Sequence, residues 1–333
     1  MEPLLLISIA ISFLATFYII PLWIKRAKKA ELTGRDINKI SKEIVAEAGG
    51  ITVILGFVLG VLIYVAIKTF YFKSTDNLIE IFALICTIIL VSFIGMIDDI
   101  LGWKIGLGKK TRIFLVLFAS IPLIVINAGN PGISIPILGK INIGIIYPLI
   151  LIPLGIIGAS TTFNFLAGYN GLEAGQGIIL LSTLAIFSAV TGTTWLSLIA
   201  LCMIASLVAF LHYNKYPAKI FPGDVLTYSV GALIAIMAIL GNYELFVLFI
   251  FLPYILEVGL KLRGKLKKES FAMPQKDGSI KNKYNKFYSL VHVAIKLLEK
   301  IKKSRKAYEW EVVLLIYLFQ IIMVLLGFFI FLY

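Results

Sequence analysis

Apolar residues occur along this chain in runs of roughly 17 to 25, divided by short polar stretches, and an α-helix needs about 20 such residues to cross the hydrocarbon core of a bilayer. Ten runs stand out, at about 3–24, 49–69, 78–97, 113–128, 142–161, 176–192, 195–213, 225–241, 243–262 and 311–332. They predict an all-α polytopic membrane protein of about ten transmembrane helices, forming one integral-membrane domain over 1–333. The run at 113–128 is short and the boundaries at Gly192 and Gly241 are tight, which leaves nine or eleven crossings open. Only Met1, Glu2 and Pro3 precede the first run, with no basic leader, so it reads as a retained span.

Composition strengthens this class assignment: 60% of residues are hydrophobic and the mean hydropathy is +0.98. The net charge of +13 would suit nucleic acid, but its placement argues for topology instead. Of 31 Lys and Arg residues, 28 fall in the loops after odd-numbered runs and 3 in the opposite loops. Basic loops stay in the cytosol, so the first set is expected there and both termini outside, in the cell membrane. The partner is then the lipid bilayer, and nucleic acid is not expected. The loop at 261–310 alone holds 15 of the basic residues. Within it, Leu290, Val291, Ala294, Ile295, Leu297, Leu298 and Ile301 predict an amphipathic helix, lying on anionic lipid or packed on the membrane domain. His292 and His212 read as structural, and Cys86 and Cys202 as small apolar residues that imply no disulfide framework.

Polar motifs gather on the side expected to be cytosolic. Asp98-Asp99 closes the third run, where adjacent carboxylates are costly; their hard oxygens suit a magnesium-bound phosphate, and Lys109, Lys110 and Arg112 follow. A charge cluster that only anchors the span is the plainer reading. The loop Asn164-Phe-Leu-Ala-Gly168-Tyr-Asn170-Gly171-Leu-Glu173-Ala-Gly175 contains no Lys or Arg. Its glycines permit close backbone approach to a ligand while the amides and Glu173 offer directional hydrogen bonds, a simple glycine turn being the alternative. The loop Tyr216–Asp224 ends in Phe221-Pro222-Gly223-Asp224; Asp224 is either an ordinary helix cap or a ligand, and Phe221 suits a nucleobase.

Taken in order, these motifs resemble those of the polyprenyl-phosphate N-acetylhexosamine-1-phosphate transferases, and most of all the dolichyl-phosphate N-acetylglucosamine-phosphotransferase branch. The resemblance runs from Gly34-Arg-Asp-Ile-Asn-Lys39 through Ala46-Glu47-Ala-Gly-Gly50 to Asn282–Phe287. It implies transfer of a sugar 1-phosphate, foremost N-acetylglucosamine 1-phosphate, from a UDP-sugar to a polyprenyl or dolichyl phosphate with release of UMP. That would be the first membrane step of a glycan such as an N-glycan. Magnesium, or manganese in its place, is the implied cofactor, with a homodimer left open.

By motif position the resemblance implies Asn164 and Asp224 as metal ligands, Asp98 and Asp99 as catalytic carboxylates, and Lys110, or Lys109 in another register, as a phosphate-neutralising cation. It implies substrate binding by Asn170, Phe221, Glu47, Lys39, Gly171 and Glu173. Two departures stand out. A third acidic residue of bacterial relatives falls near Gly102, and the Arg-His-Arg cluster of the eukaryotic branch is replaced around Ser270-Phe271-Ala272-Met273-Pro274. Arg263, Lys267, Lys268 or Lys276 would then meet the pyrophosphate. From the residues alone, a transporter lined by the same acids is the competing class; it expects them near the midplane, with repeats or broken helices. The Ile- and Lys-rich composition suits an archaeal or thermophilic source.

Overall fold

The computed structural model describes residues 3–135 and 139–332. Thirteen α-helices follow in chain order among them: α1 Leu6–Lys29, α2 Gly50–Ala66, α3 Leu78–Ile105, α4 Lys109–Ala119, α5 Ile121–Val125, α6 Ile152–Phe165, α7 Leu172–Val190, α8 Thr194–Asn214, α9 Gly223–Gly241, α10 Glu244–Ile250, α11 Leu252–Arg263, α12 Leu290–Ile301 and α13 Glu309–Leu332. Three two-stranded antiparallel hairpins sit in the loops: β1 Thr33–Arg35 with β2 Ile44–Ala46, β3 Gly132–Ile135 with β4 Gly139–Asn142, and β5 Met273–Pro274 with β6 Ile280–Lys281.

Eight helices are long and apolar enough to span a membrane, and α10 with α11, bent by 59° across a break, forms a ninth candidate. Pro253 sits in the first turn of α11, where its missing N–H removes no helical bond. The stretch predicted at 113–128 is divided into α4 and α5 at Ser120, ahead of Pro122, and is too short to qualify alone. It nevertheless runs alongside α9 from one end to the other. Arg112 lies beside Asp224 at the start of α9, whereas a Cβ on Gly129 would stand 2.9 Å from the backbone oxygen of Ile239 near its end. Among the described residues, the eight candidate spans, the bent pair and this divided stretch correspond in order to the ten runs of the hydrophobic pattern.

The core is organised around α9, in which every residue from Val225 to Ile239 is buried. A helix apolar all round has no solvent face to offer, so it takes the centre. Its neighbours come close because small residues line the crossings. A Cβ on Gly95 of α3 would stand 2.6 Å from the Val225 nitrogen. On α1 and α2, buried Ser12 and Thr16 face Gly60 and Gly56, the small-residue packing that lets membrane helices approach without a hydrophobic driving force. The predicted amphipathic helix in the last polar loop is α12.

Candidate functional site

The close crossing of α3 and α9 sets the site. Asp98 and Asp99 lie one turn before Gly102, whose φ of +68° breaks α3, and Asp99 reaches over to the N-terminus of α9. Its Oδ1 accepts from the Asp224 N–H at 2.7 Å and its Oδ2 from the Val225 N–H at 3.2 Å. Those are orphan donors of a first helical turn, and a carboxylate there also meets the positive end of the helix dipole. Gly223 makes room for it: φ is +71° and a Cβ would stand 2.2 Å from Asp99 Oδ2.

With both oxygens of Asp99 engaged, Asp98 and Asp224 form the centre. Asp98 Oδ1 accepts from the Leu107 N–H at 2.6 Å, and its Oδ2 pairs with the Arg112 guanidinium at 2.6 Å. The same guanidinium pairs with Asp224 Oδ2 at 3.1 Å and donates to the Tyr228 hydroxyl at 3.2 Å. Asn164 Nδ2 donates to Asp224 Oδ1 at 3.0 Å. Four expected site residues, Asp98, Asp99, Asn164 and Asp224, are thus brought together from three separate stretches of chain.

The cation among them is Arg112, not Lys110. Lys110 is exposed, and Lys109 donates to the backbone oxygen of Leu266. Helical phase explains this: Arg112 precedes buried Val116 and Ala119 by four and seven residues, so all three share the inward face of α4, while Lys110 points away. That spacing was available in the sequence. Tyr228, one turn after Asp224 on α9, is likewise a member of the cluster that motif reading missed.

A second polar group flanks the first. Asn170 donates its Nδ2 to Asp36 at 3.0 Å and its backbone N–H to Glu309 Oε1 at 2.8 Å. Lys39 pairs with Asp36 at 2.9 Å and lies over the Tyr216 ring. Buried Asn38 donates to the Gly168 oxygen and accepts from the Ala272 N–H, so it ties the first polar loop, the glycine motif and the last loop together. A cavity of about 260 Å³ opens here, lined by Asn38, Lys39, Ser41, Tyr216, Lys276 and Glu309 among others.

The remaining expected residues are placed differently. Glu173 is buried, and its Oε1 accepts from the Gly168 N–H at 2.6 Å, which shapes the loop. Gly171, with φ +85°, caps α7 and its carbonyl accepts from the Tyr317 hydroxyl. Glu47 lies beside Gly34, and burial pushes its carboxyl above the usual range. Phe221 is anchored beside it through backbone bonds to Ala46 and Gly49. At the position of the missing Arg-His-Arg cluster, Tyr169 donates to the Ser270 oxygen and Lys261 to the Ser270 hydroxyl, while Phe271 packs on Gly168.

Hard oxygen donors are the right chemistry for magnesium, and Asp98, Asp224 and the Asn164 amide supply them. Among the described residues no three His, Cys, Asp or Glu side chains are arranged around a common point for a metal, and the Arg112 guanidinium pairs with both Asp98 and Asp224.

Residues 81–242 match the model of a family described as glycosyl transferase family 4. The chain is 42% identical over 299 residues, 88% of its own length and 87% of the other, to a Saccharolobus solfataricus protein provisionally named UDP-N-acetylglucosamine–dolichyl-phosphate N-acetylglucosaminephosphotransferase. A Sulfolobus acidocaldarius protein with the same provisional name is 33% identical over 97% of this chain and 95% of that one. The Dictyostelium discoideum enzyme of that name is 31% identical, over 73% of this chain and 68% of its own.

Proposed function

The chain belongs to glycosyl transferase family 4, and we propose on that premise that it transfers N-acetylglucosamine 1-phosphate from UDP-N-acetylglucosamine to a dolichyl or related polyprenyl phosphate. The observation that carries this reading is the meeting of Asp98, Asp224, Asn164 and Arg112 at the polar end of the spanning helices, where a membrane-bound phosphate and a soluble nucleotide sugar can both arrive. Lysines and arginines crowd that side, which supports a cytosolic site with both termini outside.

In the reaction an oxygen of the lipid phosphate attacks the phosphorus that carries the sugar. The bond from that phosphorus to the bridging oxygen breaks, and UMP leaves with the electron pair. The nucleophile is already anionic near neutral pH, so the protein's task is charge and position more than proton removal. Arg112 places a planar, permanently charged group where phosphate oxygens would gather, and Tyr228 and the two carboxylates fix its plane. Asp99 positions Asp224 by holding the first turn of α9. Magnesium, when held by Asp98, Asp224 and Asn164, would neutralise the pyrophosphate and favour departure of UMP. Phe221 and Asn170 would hold the uridine.

Asp98 and Asp99 near the end of α3, Asp224 in the first turn of α9 and Glu173 in the first turn of α7 all stand at helix ends, unlike the midplane acids expected of a transporter. The test is release of UMP by purified protein given magnesium, a polyprenyl phosphate and a panel of UDP-sugars. UMP from UDP-N-acetylglucosamine alone is expected; silence with every sugar sinks the reading, and release with a different sugar corrects its specificity.

A further inference from the structure

The last polar loop presents a surface that the transfer reaction does not use. Helix α12 buries Val291, His292, Ala294 and Ile295 against α11 and α13. Both its ends are tied to spanning helices. Glu257 of α11, itself fully buried, accepts from the Leu290 N–H at 2.7 Å and the Ser289 hydroxyl at 3.1 Å, and Lys302 pairs with Glu311 of α13 at 2.6 Å. The helix is therefore fixed at the level where α13 begins.

On its other side, Val293, Leu297 and Ile301 are 37%, 42% and 69% exposed. Their four-residue spacing makes one stripe. At the same level on α13, Trp310 is exposed, followed at four-residue intervals by exposed Leu314 and Leu318, the side of a spanning helix that meets lipid. An interfacial Trp marks the head-group layer. Around the stripe, Lys300, Lys303 and Arg305 are exposed and pair with no carboxylate among the described residues, whereas Lys296 is matched by Glu299. The whole loop at 261–310 carries 15 basic and 4 acidic residues.

We propose that the Val293–Leu297–Ile301 face of α12 lies in the head-group layer of the surrounding bilayer and binds anionic lipid head groups through Lys300, Lys303 and Arg305. The stripe supplies depth, and the unpaired cations supply selectivity for negative charge. Long basic side chains can cover the stripe while their charged tips stay among the phosphates. This inference stands independently of the transferase reading.

Two measurements on the full chain test it. With Cys86→Ser as background, Leu297→Cys carrying an environment-sensitive fluorophore is reconstituted in phosphatidylcholine vesicles with and without phosphatidylglycerol. Blue-shifted emission quenched by spin-labelled lipid is expected with phosphatidylglycerol present. Quenching by aqueous iodide in both vesicle types overturns the proposal, and is the outcome for a face that binds a soluble protein. In detergent, native mass spectrometry should show the wild type retaining phosphatidylglycerol over phosphatidylcholine. The triple variant Lys300→Gln, Lys303→Gln, Arg305→Gln should lose roughly five-fold of that preference per charge. Equal retention by the variant, or no preference in the wild type, overturns it.

Discussion

Replacing Arg112 by Met removes one guanidinium from between two carboxylates while keeping the apolar stem that packs in α4. Asp98 is 6% exposed and Asp224 20%, so neither recovers full hydration when its partner goes. Breaking a buried pair by removing one partner costs about 3–5 kcal/mol; because Arg112 is itself 31% exposed, a smaller loss, about 2–3 kcal/mol, is expected. The loss should show as a lower midpoint of unfolding in detergent, and should shrink when magnesium is added, since a cation can take the vacated place. In the UMP-release assay, loss of one preorganised electrostatic group predicts a fall of about 10²–10³-fold in rate. Arg112→Lys keeps the charge but not the fork, so an intermediate loss is expected. Lys110→Met is the matched control and should stay close to wild type in both assays. A Lys110→Met defect as large as that of Arg112→Met, or an Arg112→Met protein of wild-type stability, would refute the assignment of the charge.

Three further outcomes follow from the same geometry. Asp98→Asn should abolish most UMP release and, because it breaks the same pair with Arg112, should also lower the unfolding midpoint; Asp99→Ala, which frees two N–H groups of α9, should cost about 2–3 kcal/mol of stability, and an unfolding curve indistinguishable from wild type would remove the capping role. Gly223→Ala forces a Cβ against Asp99 at a positive φ and should destabilise by about 1–3 kcal/mol, detectable as a loss of folded yield at raised temperature. Burial, with Lys261 nearby, lowers the His292 imidazole from its ordinary 6.5 to about 4. A depressed imidazole pKa means the unfolded chain takes the proton first, so stability is full above about 6.5 and falls between there and about 4. His292→Gln should flatten that part of the unfolding midpoint against pH, and an unchanged slope would place the titration elsewhere.

The membrane architecture was legible because burial in lipid is a one-dimensional demand: a helix of given length needs a run of given length. Even the weak run at 113–128 is explained, since its helix begins early, at Lys109, with charged residues and is divided at Ser120, ahead of Pro122. The meeting of Asp98, Asn164 and Asp224 was legible from common sidedness, because helix ends on one face have little room in which to avoid one another. What motif position alone did not carry was rotation, which has to be read from the spacing of Arg112 to Val116 and Ala119. Lys110 sits at a motif position yet points outward, and the residue two places on turns inward. Nor could spacing divide the labour of Asp98 and Asp99, which depends on α3 lying close enough to α9 for one of them to cap it.

The absence of basic residues from the Asn164–Gly175 loop has a physical reason in this arrangement. The loop runs between two groups of acids, Asp98, Asp99 and Asp224 at the Asn164 end and Asp36 and Glu309 at the Asn170 end, with Glu173 beneath it. A lysine on so short a loop could swing onto any of them and neutralise a carboxylate needed elsewhere. Amides avoid this: the side chains of Asn164 and Asn170 each donate to one carboxylate and keep a carbonyl oxygen, so they orient the acids without cancelling their charge. The required cation comes instead from α4, on a rigid helix whose phase leaves Arg112 only the gap between Asp98 and Asp224. A lysine introduced at Gly171 or Ala167 should therefore impair UMP release more than its volume explains, and glutamine of nearly the same size at the same positions should impair it less. Equal effects of the two would show that space, and not charge, keeps the loop free of cations.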